Sequence, residues 1–175
     1  MLAVVQALAL WRLRAARRSA SVAAGRIEGL ADEALAEMGL EGCVQVLVAR
    51  GRSMPLTWGF ASPRILLPAE AVDWPEEQVR AVVLHEGAHI VRHDYAALWV
   101  TRLACALHWF NPLVWIAARR MAAEREAACD DRVLATGVRA SDYARDLLHV
   151  ARAYCSRAGL PSGGVGMARS SKLER

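Results

Sequence analysis

The stretch VVLHEGAHIVRHDY, Val82 to Tyr95, decides how this chain is to be read. It sets His85, Glu86 and His89 on a short apolar segment, where such groups are costly to bury unless a partner claims them. Just upstream, DWPEEQVRAVV carries helix-start chemistry: Asp73 is placed to cap, Pro75 falls in the first turn, and Glu76 completes a capping-box spacing. Val79, Val82, Val83 and Ile90 recur at helical intervals. On such a helix His85 and His89 are separated by about 6 Å of rise and roughly 40° of rotation, so both rings can reach one ion at about 2.1 Å. Glu86 then projects beside the ion. Two neutral imidazoles to hold zinc and an adjacent carboxylate to take a proton from water are what a zinc hydrolase needs.

The plain alternative is a satisfied core histidine and a solvated glutamate. Chance assembly of His-Glu-x-x-His in a chain of this length is on the order of one in a hundred or less, which favours the metal. A catalytic zinc takes a third protein ligand. His93 lies about 12 Å along the axis and roughly 80° around from His85, too far to share the ion, and reads as a polar residue at the helix end. The better candidate is downstream, in HWFNPLVWIAARRMAAEREAACDDRVLATG, where Asn111 can cap a helix begun by Pro112 and Gly137 can end it. Glu126 and Asp130 are one turn apart on that helix, so one carboxylate can bind metal while the other orients a ligand histidine by accepting its free ring N–H. Glu124 points about 200° away from Glu126, toward solvent. The small neighbours Ala122, Ala123, Ala127 and Cys129 suggest that the Glu126 face is closely packed.

HEGAH followed by EAACD resembles the gluzincins, zinc peptidases whose third ligand is a glutamate in an E-x-x-x-D segment. More narrowly, HEGAHIVRHD, WFNPLVW, EREAACDDRVL and YARDLL are similar to the BlaR/MecR-type membrane antirepressor peptidases, over about Val44 to the C-terminus. The resemblance implies zinc on His85, His89 and Glu126, catalysis by Glu86, and a bacterial membrane location with the site facing the cytoplasm. It also implies a protein substrate, either a transcriptional repressor or the protein itself, cleaved during antibiotic or envelope-stress signalling.

Composition bears on the membrane part. The chain has 175 residues, 55% of them hydrophobic, and a mean hydropathy of +0.18, yet no run reaches the roughly 18 apolar residues of a simple span. MLAVVQALALW is too short to cross alone but is followed by Arg12, Arg14, Arg17 and Arg18, as a membrane helix facing the cytoplasm would be. With the resemblance, residues 1–18 are expected to be the end of a transmembrane helix with a basic flank, and the chain a fragment. Tyr95 to Ala118 is long enough to cross, but Arg102, His108 and the Asn111-Pro112 break make a lipid-facing span costly. A buried core helix and a protein-shielded membrane helix both fit 95–118, and the resemblance favours the membrane. Trp99, Trp109 and Trp115 fit a core or a membrane interface.

The net charge of +4, almost all from arginines, comes with no nucleic-acid motif, so no direct nucleic-acid partner is expected; membrane lipids are. Cys43, Cys105, Cys129 and Cys155 form no close pair and read as reduced thiols. RIEGLADEALAEMG reads as a helix with Ile27, Leu30, Ala34, Leu35 and Met38 on one face and Gly39 as its stop. CVQVLVA reads as a strand, RGRSMP as a turn, and LTWGFASPRILLP as two short extended pieces. One of these can bind an extended peptide by strand addition or serve as an ordinary sheet strand. Ser141 can cap a last helix to about Arg157, and 159–175 reads as a flexible or truncated tail.

The expected fold is therefore α+β and predominantly helical: a gluzincin-like zinc peptidase domain over 19–158, with a small sheet, embedded among membrane helices. The expected activity is zinc-dependent endopeptidase, with Glu86 as proton acceptor and Tyr143 or His149 as weaker candidates for a second donor. The rivals are a catalytically silent, zinc-stabilised signal transducer and a housekeeping membrane gluzincin.

Overall fold

A computed structural model describes residues 20–50 and 53–157, with side chains to Arg152. The expected membrane-helix end at 1–18, the tail at 159–175, the side chain of Cys155 and part of the RGRSMP turn lie outside these residues. The described chain is mostly helical around one four-stranded sheet. Strand β1 (Ala20–Val22) precedes helix α1 (Arg26–Ala36), and β2 (Gln45–Ala49), β3 (Leu56–Trp58) and β4 (Arg64–Leu67) follow. A 3-10 turn at Ala69–Asp73 leads into α2 (Glu76–Val91), α3 (Asp94–Leu107), α4 (Pro112–Leu134) and α5 (Ala140–Arg157).

The sheet order is β1-β2-β4-β3, with β2 parallel to β4 and the outer pairs antiparallel, which leaves β3 at an edge. Alternation along the strands splits the core. Ile65, Leu67 and Val46 join the large cluster with Ala31, Leu35, Val79, Val82 and Val83 of α1 and α2, whereas Leu47, Ala49, Trp58 and Leu66 fill the opposite face. The β3–β4 turn needs Gly59, because at its φ of 109° a Cβ would overlap the Ser62 carbonyl.

Helix α2 is the hub, touching α1, α3, α4, α5, β3 and β4. Its apolar side chains are buried nearly all round, from Val79 to Ala88. Gly87, inside the HEGAH motif, faces α1, and a Cβ there would come within 3.1 Å of Met38 Sδ and 3.3 Å of Leu35 Cδ2. The motif thus has two backs: the histidines face one way while its glycine lets α1 pack close. A bidentate Arg80–Glu37 pair at 2.6 and 2.8 Å fastens the same two helices.

Several local expectations are corrected. Asp73 does not cap α2: Pro75 forces Trp74 to be extended, the 3-10 turn ends at Asp73, and Pro75 itself is the N-cap without a side-chain hydrogen bond. Glu76 and Glu77 in the first turn face the positive helix end instead, and Arg26 ties the corner by donating to the Trp74 and Val72 carbonyls at 2.9 and 3.3 Å. Ser141 lies inside α5, which begins one residue earlier. Residues 95–118 are neither one span nor a buried helix. Asn111, accepting from Leu113 N at 3.0 Å, and Pro112 start a new helix there, and α3 buries only Asp94 and Cys105. Among the described residues no helix is long and apolar enough to cross a membrane. The Asn111 cap, the Gly137 stop with φ of 88°, the α1 helix and the short strands all appear where expected, and the strand β1 adds one that the sequence did not announce.

Candidate metal centre

The site forms where α2 meets α4. His85 and His89 stand one turn apart on α2, with ring centroids 5.0 Å apart and planes at 90°. Glu126 comes from α4, and its Oε2 lies 3.6 Å from His85 Nε2 and 3.9 Å from His89 Nε2. These are the three residues singled out from the sequence, with one donor atom each inside a 4.8 Å group. Ligands held at 2.0–2.1 Å around a tetrahedral ion stand about 3.4 Å from one another, so the two separations between Glu126 and the imidazoles need to tighten by only a few tenths of an ångström.

The δ nitrogens fix the ε nitrogens. His89 Nδ1 is 2.8 Å from Asp94 Oδ2, an acceptor, so the proton sits on Nδ1 and the Nε2 lone pair faces Glu126. His85 Nδ1 is 2.7 Å from the Tyr143 hydroxyl, which donates to Asp130 Oδ1 at 2.8 Å; the same Oδ1 lies 3.3 Å from the ring nitrogen. With both rings neutral, two ring lone pairs and one carboxylate oxygen converge. Such a set attracts a cation, and the residues fit a zinc of the two-histidine, one-glutamate kind.

The carboxylates make the site attractive to positive charge, a proton or a metal ion. Burial would lower His85, but the Glu126 hydrogen bond and the charges of Glu86, Asp130 and Glu126 outweigh it and raise its pKa. The hydrogen bond to His85 holds Glu126 below the usual carboxylate range despite partial burial. Burial drives Glu86 upward against the opposing pull of the Thr57 hydroxyl and the two histidines. Thr57, on edge strand β3, donates to Glu86 Oε2 at 2.5 Å. Cys129 is driven to about 12 by burial and by the adjacent Asp94, and Tyr143 is driven up by burial and Asp130.

A cleft of about 470 Å³ opens over Glu86 and both histidines, walled by Leu56, Phe60, Tyr95 and Arg125. Phe60 and Tyr95 meet edge to face at 4.7 Å. Glu126 keeps 53% of its side chain exposed toward this opening, and Arg125 sits 3.8 Å from its other oxygen. The expected tight packing of small residues around Glu126 is not found: Ala123 and Ala127 are exposed, and of that group Cys129 alone is buried. Glu124 is solvated and His93 exposed, as expected. His93 has a structural part, because its left-handed φ of 56° turns the chain from α2 into α3 and delivers Asp94. His149 is exposed and pairs with Gln78 at 3.2 Å, about 10 Å along α2 from His85.

Sequence reasoning missed Asp94, Thr57 and the contact of Cys129 with His89. Asp94 stands five residues after His89, off the helical period, and Thr57 reaches the site only through the sheet register; neither spacing announces itself.

Over residues 1–175 the chain matches the family described as BlaR1 peptidase M56. It is 35% identical over 82 residues to Regulatory protein BlaR1 of Bacillus licheniformis, an overlap of 47% of this chain and 14% of that protein. To the Methicillin resistance mecR1 protein of Staphylococcus aureus it is 28% identical over 81 residues, 46% of this chain and 14% of that one. The matched region thus spans 14% of the length of either relative. With two histidines, a glutamate and a buried carboxylate already gathered at one cleft, the match along the whole chain means that this protein belongs to the BlaR1 peptidase M56 family.

Proposed function

We propose that this chain carries the catalytic centre of a membrane-associated zinc metalloendopeptidase of the gluzincin kind. In this reading His85, His89 and Glu126 hold the ion, Glu86 is the general base, and Asp130 stands behind His85 through Tyr143. The observation that carries it is the convergence of both Nε2 atoms and a Glu126 oxygen inside 4.8 Å, with the Glu86 carboxyl beside them. Zinc bound there supplies a Lewis acid that acidifies water and polarises a peptide carbonyl. Glu86 takes the water proton and later returns it to the leaving amine, a double duty suited to a carboxyl whose pKa burial has raised. Thr57 holds one Glu86 oxygen and leaves the other free to act. Edge strand β3 borders the cleft through Leu56 and Thr57, and an extended peptide added to that edge would lie across Glu86.

The biological setting follows the relatives. One is a regulatory protein and another belongs to methicillin resistance, which supports cleavage of a repressor or of the protein itself in antibiotic or envelope-stress signalling. The reading places the site at the cytoplasmic face of the bacterial membrane, and its contact with a membrane surface is supported by the bare α3–α4 hairpin. Val100, Leu103, Leu107, Trp109, Phe110 and Leu113 are all exposed there. Arg119 and Arg120, also exposed, follow about 10 Å beyond Pro112, the depth to which an interfacial element sinks. Replacing Leu107, Trp109 and Phe110 together by Ser should abolish most sedimentation with anionic vesicles; unchanged sedimentation would remove the hairpin from the membrane.

The activity is tested by Glu86→Gln in the intact gene product. Gln cannot accept the proton and leaves the ligands in place, so zinc should stay bound while cleavage falls at least about a hundredfold. Undiminished cleavage would exclude Glu86 as the base. Lost cleavage with an intact transcriptional response would favour the silent transducer.

A further inference from the structure

We infer that Asp94 and Cys129 act together as positioning residues for His89. The inference rests on the reading of His89 as a metal ligand. Asp94 Oδ2 lies 2.8 Å from His89 Nδ1, and Cys129 Sγ lies 3.3 Å from the same oxygen and 3.2 Å from the same nitrogen. Asp94 and Cys129 are both buried, so this carboxylate depends on these two donors and on Arg92 Nε at 3.6 Å.

These three atoms also lie close enough together to suggest a second ion site. The distances decide against it. A nitrogen–oxygen separation of 2.8 Å is a hydrogen bond, whereas ligands around one zinc stand about 3.4 Å apart. An ion there would also need the Nδ1 lone pair, which is unavailable while Nδ1 carries the proton that frees Nε2 for the first site.

As a hydrogen-bonded group the cluster has a definite task. Asp94 accepts from His89 and sets its tautomer. The Cys129 thiol donates to the oxygen that His89 already uses, which keeps the carboxylate from turning away, and its sulfur fills the space between α4 and α2. Cys129 lies three residues after Glu126, so one helix carries both the third ligand and the group that fixes the second. Asp94 arrives from the first residue of α3, aimed by the left-handed His93.

The test uses Asp94→Asn, Cys129→Ala and Cys129→Ser in the whole chain, read by zinc affinity against a chromophoric chelator and by the visible spectrum of bound cobalt. Asp94→Asn should weaken zinc about 10- to 100-fold and alter the cobalt bands. Cys129→Ala, losing a weak donor, should weaken it about threefold and shift the bands in the same direction. Cys129→Ser keeps a donor and should restore both, which a purely space-filling sulfur would not explain. Wild-type affinity and bands in both Asp94→Asn and Cys129→Ala would overturn the inference. A wild-type chain that takes up no zinc or cobalt would instead overturn the metal-site reading on which it stands.

Discussion

The two histidines of the site sit one turn apart on the same helix, yet they are held by different means. His89 leans on Asp94, whose side chain is 8% exposed, with the fully buried Cys129 packed against the pair. His85 leans on a phenol, which passes the contact to Asp130, a carboxylate 44% exposed. On the first side the acceptor is buried and held in a single arrangement. The other is wet and offers two acceptors, because Asp130 Oδ1 is already 3.3 Å from His85 Nδ1 and can replace the phenol. The lesson lies in the acceptors: His89 rests on one buried carboxylate that borders the cleft together with Glu126, and His85 on a more exposed carboxylate that does not border it.

Substitutions can break that contrast. The largest effect falls on the buried side, where Asp94→Asn deprives His89 of its charged acceptor; the 10- to 100-fold loss of zinc affinity is its measure. Asp130→Asn on the wet side should cost about three- to tenfold, since the amide oxygen still accepts from Tyr143 and solvent screens the lost charge. Tyr143→Phe should cost least, about threefold or less in affinity, with Asp130 taking the ring N–H directly. Titration of the three variants under one condition orders them. Asp130→Asn or Tyr143→Phe matching Asp94→Asn would erase the distinction between the flanks.

How far the sequence reached depended on the range of the interaction. The convergence of His85 and His89 was legible because four residues on a helix is a rigid spacing, and α4 was legible from its ends, where Asn111, Pro112 and Gly137 each have a local reason to be there. Glu126 followed from the resemblance and from sharing a turn with Asp130. The start of α2 was misplaced because Pro75 acts backward on Trp74, so a plausible cap at Asp73 lost to a steric constraint one residue further on. Asp94 and Thr57 could not be read at all. One depends on a single left-handed residue between helices, and the other on which strand ends at the sheet edge, and both are settled by packing rather than by period. The apolar run at 95–118 was correctly seen as interrupted, but its burial was not, since whether a stripe is covered depends on elements outside it.

The central claim is that one zinc sits between His85, His89 and Glu126 and not in the neighbouring sulfur-containing cluster. X-ray absorption at the zinc edge of the purified one-zinc protein tests it most directly. The account predicts nitrogen and oxygen ligands alone at about 2.0–2.1 Å, with the outer-shell pattern of two imidazoles. A zinc–sulfur distance of about 2.3 Å would place the ion on Cys129 and contradict it.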